Sequence, residues 1–489
     1  MTVEYDLIVI GGSRAGVDAA VTAAHLNARV ALIESQPQMG YGAVYTSSLT
    51  QIGRVAKQVQ EAHFDDAQKP AQFGIRQTAE TPLIDLTGAM QWSQEVVSTC
   101  FEQHSPAILA SLGVDVINGV GEFFRRPHLG FVVNNRRIRA RGYLIATGFR
   151  SIIPEIEGLQ TAGYLTPETW QQDFAQQFGI ADCKQLPKSW VVIGNGAIAI
   201  QLAQTLARLN CQVILVVSTS HLLPEEDSEI AALIQGQLEA EGVRILTESL
   251  VTQVRNIDEK KWVQAGNQAL ETDQIMLAIE QQPNLESLNL EGVGVKFNPQ
   301  GLKLNQKLQT TNSRIYACGF NQDHIARYEA NIAVKNVLFA PIFKVDYRGI
   351  PCSVISDPQL ARVGLTEAQA RQRYGKDVMV ARQYFKTLDK AQILGETTGF
   401  CKIVGRQNGD ILGAVIIGQE ASELIGVIAF CMRQKLKIKA IADLPYISPT
   451  LSEIVQQTAL EWQRQSFRHN QRLSNLCENW FNLRRNWSS

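Results

Sequence analysis

Two glycine-rich turns, each set between an apolar strand and a helical stretch, are the residues best suited to chemistry. The first reads Gly11-Gly12-Ser13-Arg14-Ala15-Gly16. Gly11 permits a tight turn and Gly16 permits close packing of helix on strand, as a dinucleotide held at a helix N-terminus requires. Ser13 stands where a middle glycine would let backbone N–H groups approach a pyrophosphate. Its Cβ crowds that approach, and its hydroxyl offers a replacement bond. Glu34 lies about 20 residues on, at the end of the next strand, where a carboxylate can bind a ribose hydroxyl. The same residues also read as a nucleotide-free βαβ unit with an ordinary helix cap. The second turn reads Gly194-Asn195-Gly196, with Ala199 in the third position. Its following strand ends at Val217-Ser218-Thr219. That end has no acid for the 2′-hydroxyl of NAD and no arginine for the 2′-phosphate of NADP, so cofactor preference is not legible.

The elements around these turns repeat. Tyr5 to Ile10 and Arg29 to Ile33 read as short buried strands flanking a helix from Ala15 to Asn27. Trp190 to Ile193 and Gln212 to Val217 flank a second helix running to Leu209. Residues 116 to 150 read as a β-meander, and Arg314 to Cys318 as a strand before a helix. Residues 345 to 460 alternate strands, glycine turns and helices. The chain has 489 residues and a formal net charge of −1. That length suits about three domains, and the charge balance gives no footprint for nucleic acid. No apolar run reaches the roughly 20 residues that span a bilayer. With a strand read at the opening, no signal peptide is expected ahead of it. The eight cysteines show no C-x-x-C pair and no neighbouring histidine, so no metal site is expected and buried free thiols in a reducing cytoplasm are.

Longer segments carry a resemblance. IATGFRSIIPEIEG at 145–158, RIYACG at 314–319, SDPQLARVGLTEAQA at 356–370, GFCKIV at 399–404, ILGAVIIGQEASELI at 411–425 and SPTLSE at 448–453 occur in the order found in the pyridine nucleotide-disulfide oxidoreductases. The resemblance covers roughly residues 3–462. It implies an α/β fold with two Rossmann-like dinucleotide-binding domains, for FAD and NAD(P), plus an α+β C-terminal dimerisation domain. The implied boundaries are 1–160 and 284–345 for FAD, 161–283 for NAD(P), 346–462 for dimerisation, and 463–489 for a tail. FAD would lie against Gly11, Gly12, Ser13, Gly16, Glu34, Thr147, Gly148 and Gly319. NAD or NADP would lie against Gly194, Gly196 and Ala199.

The family's sulfur relay has no counterpart. Its two cysteines correspond to Ala43 and Ser48, neither of which forms a thiolate. The lysine beside the flavin corresponds to Ile52, and its glutamate partner to Gln201. Losing one half of that pair would strand a buried charge at about 3–5 kcal/mol, so losing both is the consistent outcome. The partner subunit's histidine base corresponds to Ser448, which leaves Glu453 to a structural hydrogen bond or helix cap. The flavin-contacting aspartate corresponds to Phe320, with Asn321 and Asp323 as nearby substitutes. The resemblance therefore implies a homodimeric, cytoplasmic FAD-dependent NAD(P)H oxidoreductase without a catalytic residue of the relay. It would pass electrons to a small-molecule acceptor such as a quinone, a dye or oxygen. The alternative is a catalytically inactive dimeric scaffold or nucleotide sensor.

The tail would be that alternative's working surface. Phe467, Leu473, Leu476, Trp480, Leu483 and Trp487 fall at near-helical spacing, with Arg468, Arg472, Arg484 and Arg485 between them. Such a helix packs on its own dimerisation domain, lies on an anionic membrane or docks on a protein partner.

Overall fold

Apolar strands alternating with helices favour parallel sheets, because a parallel pair needs a crossover connection and the crossover helix covers the sheet. The computed structural model describes residues 3–34, 39–63, 86–170, 187–298, 301–319 and 322–487. These fall into two units. One draws on residues within 1–67, 75–218 and 242–346, the other on residues within 219–241 and 347–489.

The first unit opens with β1 (Tyr5–Ile10), α1 (Arg14–His25), β2 (Val30–Glu34), α2 (Gly42–His63), β3 (Val114–Asn118), β4 (Ala140–Ile145) and β5 (Phe149–Ser151). It continues with β6 (Ser189–Ile193), α3 (Ala197–Arg208) and β7 (Gln212–Val216). The helix α4 (Ser228–Ala240) belongs to the second unit. The first unit resumes with β8 (Arg244–Leu246), β9 (Gln274–Leu277), β10 (Gln281–Pro283), β11 (Ile315–Ala317) and α5 (Asp323–Leu338).

Its main sheet runs β11-β4-β1-β2-β3 and is parallel throughout, with Ile8 opposite both Ala31 and Tyr143. Leu7, Ile8 and Val9 are fully buried, so the strand is apolar on both faces. A second parallel sheet runs β8-β7-β6-β9. The meander expected over 116–150 is a three-stranded antiparallel ladder of Gly121–Phe124, Gly130–Val133 and Arg136–Ile138. The strand after it, β4, leaves the ladder and joins the parallel sheet.

The second unit holds an antiparallel sheet of β12 (Pro351–Val354), β13 (Gln359–Gly364), β14 (Val378–Tyr384), β15 (Phe400–Arg406) and β16 (Ile411–Gly418), in the order β12-β13-β16-β15-β14. The helices α6 (Ala421–Arg433) and α7 (Glu453–His469) cover it, and α8 (Gln471–Trp487) ends the described chain. Trp462 is 5% exposed and packs in this core, so it belongs to the sheet domain rather than to the tail. Lys402, at the middle of the sheet, is 1% exposed. Its ammonium pairs with Asp227, with Glu229 at 2.6 Å and with Glu367 at 3.5 Å. Three carboxylates around one buried cation tie α4 to β15, and stranding that charge would cost about 3–5 kcal/mol.

Candidate functional site

The first glycine turn sits where β1 passes into α1, at the C-terminal edge of the parallel sheet, where ligands of such sheets bind. Gly11 has φ +110°, and a Cβ there would lie 2.5 Å from the Ala146 carbonyl oxygen, so only glycine fits. Glu34 reaches this turn from the end of β2: a Cβ on Gly12 would stand 2.0 Å from its Oε1. Glu34 is 5% exposed, and Oε1 has no hydrogen-bond partner. Burial pushes its carboxyl up to about 7. Thr147, whose Cα lies against Gly11, has a buried Oγ1 that is likewise unpartnered. Buried polar groups are nearly always satisfied, so two orphans flanking one glycine turn mark a cradle for a polar ligand.

Ser13 departs from the expectation that its hydroxyl is available to a ligand. It caps α1 by accepting from Gly16 N at 3.2 Å and donates to Ala146 O at 2.7 Å. Its one proton is spent on the carbonyl just past β4 and one lone pair on the capping N–H, so it has no proton left to donate to a ligand. Gly148 (φ +68°) lies near Ser13, and its carbonyl accepts from Asn284 N at 3.0 Å. Gly319 follows β11, and its N–H donates to the buried Glu329 carboxylate at 3.2 Å. The structure thus brings Gly11, Gly12, Ser13, Gly16, Glu34, Thr147 and Gly148 together, while the N–H of Gly319 is already engaged.

Arg14 is a residue that sequence reasoning passed over. It is the first residue of α1, its guanidinium stacks over the Tyr41 ring at 5.4 Å, and it stands 3.8 Å from Asp323 at the start of α5. The sole signal was a basic residue inside the glycine run. Phe320 and Asn321 lie outside the described residues.

Ala43 and Ser48 fall on the first two turns of α2. Ala43 is exposed, and the buried Ser48 hydroxyl donates to Tyr45 O at 2.7 Å. Thr46 donates to Gly42 O and Thr50 to Thr46 O. Where α2 meets α3, Gln201 Nε2 donates to Thr50 Oγ1 at 3.0 Å, and Thr50 Oγ1 lies 3.0 Å from Thr205 Oγ1. Gln201 thereby finds a neutral hydroxyl as its partner. The described cysteines are free, with Cys183 outside the described residues. Burial pushes Cys211 and Cys401 up to about 12 and Cys318 higher still, the opposite of an activated thiol.

At the second turn, Gly194 repeats the role of Gly11: φ is +152° and a Cβ would lie 2.1 Å from Ala278 O. Gly196 is the N-cap of α3 without a side-chain cap bond, nothing lies within 4 Å of where its Cβ would be, and Ala199, in the first turn of α3, is fully buried. In the second unit, Ser448 is exposed, and Glu453, the first residue of α7, accepts from Thr450 N in the segment just ahead of the helix at 2.9 Å. No cluster of metal-ligating side chains occurs among the described residues.

A model of the pyridine nucleotide-disulphide oxidoreductases matches residues 5–329, and a model of that family's dimerisation domain matches residues 350–459. The chain belongs to this family. It is 30% identical to a dihydrolipoyl dehydrogenase of Bacillus subtilis (strain 168), over 93% of this chain and 98% of that one. It is 29% identical to a mercuric reductase of Staphylococcus aureus, over 94% and 83%. The copper(II) complex of the HOCl-induced flavoprotein disulfide reductase RclA of Escherichia coli superposes with a TM-score of 0.79 at 25% identity, covering 94% of this chain and 99% of that one. The fold is therefore the family's: dinucleotide-binding domains for FAD and NAD(P), and a dimerisation domain that follows them in sequence. Members are FAD-dependent oxidoreductases that use NAD(P)H, and the orphaned Glu34 and Thr147 oxygens fit FAD at the first turn. No described helix is long and apolar enough to cross a membrane.

Proposed function

We propose that this chain is a homodimeric FAD-dependent NAD(P)H oxidoreductase that does not use a disulfide. When bound, FAD would supply the redox chemistry that links NAD(P)H to an acceptor. The chain's own residues bind and position. Gly11, Gly12, Ser13, Gly16, Thr147, Gly148 and Gly319 shape the cradle, and Glu34 accepts hydrogen bonds from ribose hydroxyls. Gly194, Gly196 and Ala199 hold the nicotinamide nucleotide. The domain division at 160/161, 283/284, 345/346 and 462/463 is part of this proposal, as is work in the cytoplasm. The electron acceptor is a small molecule such as a quinone, a dye or oxygen.

One contrast supports the reading: the cradle keeps buried polar atoms that wait for a ligand, while the hydroxyls of α2 are spent on the helix itself. The test compares NAD(P)H oxidation with a benzoquinone and with lipoamide or glutathione disulfide, before and after thiol alkylation. Quinone turnover that survives alkylation, with negligible disulfide turnover, is expected. Brisk disulfide turnover abolished by alkylation would overturn the reading.

The second reading is a catalytically inactive scaffold or nucleotide sensor acting through the tail, and the exposed apolar side chains of α8 favour it. It predicts no turnover with any acceptor and loss of a binding activity when residues 463–489 are removed.

A further inference from the structure

The helix α8 leaves its apolar face in water. Leu476, Trp480, Leu483 and Trp487 recur every three to four residues and so share one face. They are 65%, 55%, 55% and 84% exposed. Asn479 and Asn486 flank the stripe on one side, with Asn475 and Asn482 further round, and Glu478 falls opposite it. Phe481, 54% exposed, lies across the helix from the stripe. Arg472 and Arg484 border the apolar stripe, one on each side, with Arg485 beyond. The helix carries three arginines against one glutamate. A contiguous apolar patch of this kind, rimmed by charge, marks an interaction surface.

We propose that α8 is an in-plane anchor that docks on an anionic lipid surface. The charge balance is complementary to acidic headgroups. Two tryptophans on the apolar face suit the boundary between headgroup and acyl chain, and the asparagine face stays in water. The helix has 17 residues and carries three arginines, a glutamate and four asparagines, so it lies on a bilayer instead of crossing it. Pairing with a second copy of the helix is the weaker match. The positions flanking the stripe are Arg472, Cys477, Asn479, Arg484 and Asn486, which offer no opposite charges to set a zipper, and the stripe is shorter than the three to four heptads a coiled coil sustains. Docking deepens the tail contact of the proposed function. Only its consequence, access to lipid-soluble quinones, rests on the redox reading.

The test is flotation of the full-length protein with vesicles of phosphatidylglycerol and phosphatidylcholine and with phosphatidylcholine alone. Flavin content and oligomeric mass are measured in parallel, so that failure of the redox reading is seen separately. The intact chain floats with the anionic vesicles, and its bound fraction falls as salt is raised. Trp480→Ala/Trp487→Ala lowers the bound fraction at least about tenfold with unchanged mass. Arg484→Glu/Arg485→Glu, a surface change that spares the apolar face, does the same for anionic vesicles. No flotation of the intact chain overturns the proposal. So does a fall in oligomeric mass in either variant, which would make α8 a contact between copies.

Discussion

The glycine turn at Gly11 and the opening of α2 belong to the same unit, yet they treat buried polar atoms in opposite ways. Around the turn, Glu34 Oε1 and Thr147 Oγ1 are buried without partners. Along α2, Thr46, Ser48 and Thr50 each return a hydrogen bond to the carbonyl of their own helix, and Gln201 finds Thr50. A buried polar atom left unsatisfied costs stability unless a ligand completes it. One region is therefore built to be completed from outside and the other is complete in itself. In a family whose members include disulfide and mercury reductases, that difference is what supports the proposal that this chain holds a dinucleotide without passing its electrons to sulfur.

Charging the closed region should break the comparison most severely. Gln201→Glu would place an unpaired carboxylate against Thr50 and Thr205, and a loss of about 3–5 kcal/mol is expected at neutral pH. Chemical denaturation measures it. A neutral outcome would mean that a cation already lies nearby and that α2 is not self-satisfied.

The open region answers to pH. The Glu34 carboxyl is raised from an ordinary 4.5 to about 7 in the folded, ligand-free protein. The folded state therefore holds an extra proton between those values. Stability from this group is full below about 4.5 and is lost as pH rises through about 7, a swing of about 3 kcal/mol. Thermal melts of the apoprotein as a function of pH should show that fall, and Glu34→Gln should flatten it. The same substitution should weaken FAD about 10- to 150-fold, since a hydrogen bond to a charged group is worth about 1.5–3 kcal/mol. Equal FAD affinity in wild type and Glu34→Gln would remove Glu34 from the cradle.

Ser13 sharpens the picture at smaller scale. With its hydroxyl committed to Gly16 N and Ala146 O, Ser13→Ala should cost about 0.5–2 kcal/mol of stability through the lost cap and change FAD affinity little. A large loss of affinity with unchanged stability would return that hydroxyl to the ligand.

What the sequence made legible was local. Glycines at fixed offsets after apolar strands located both βαβ units, and the long motifs of residues 356–425 located the antiparallel domain, because each depends on neighbours in the chain. The partners of the buried polar groups were not legible, because they come from elsewhere in the chain: the carbonyl that engages Ser13 belongs to Ala146, and the hydroxyl that accepts from Gln201 belongs to Thr50 on another helix. The cluster of Asp227, Glu229 and Glu367 around Lys402 is hidden for the same reason, since its members come from distant segments. Arg14 was visible as a residue, but its stacking on Tyr41 was not. The tail divides similarly: spacing showed an amphipathic helix, whereas only the folded chain showed that Trp462 packs inside and Trp487 stays outside.

Electron counting tests the central claim most directly. A flavin takes up two electrons and a redox-active disulfide would take up two more, so an anaerobic titration with NAD(P)H followed by visible absorption distinguishes a flavin acting alone from a flavin coupled to sulfur. The account predicts yellow protein that bleaches fully with a single equivalent of reductant per flavin. A requirement for a second equivalent before bleaching is complete, or a colourless protein that takes up no added FAD, would contradict it.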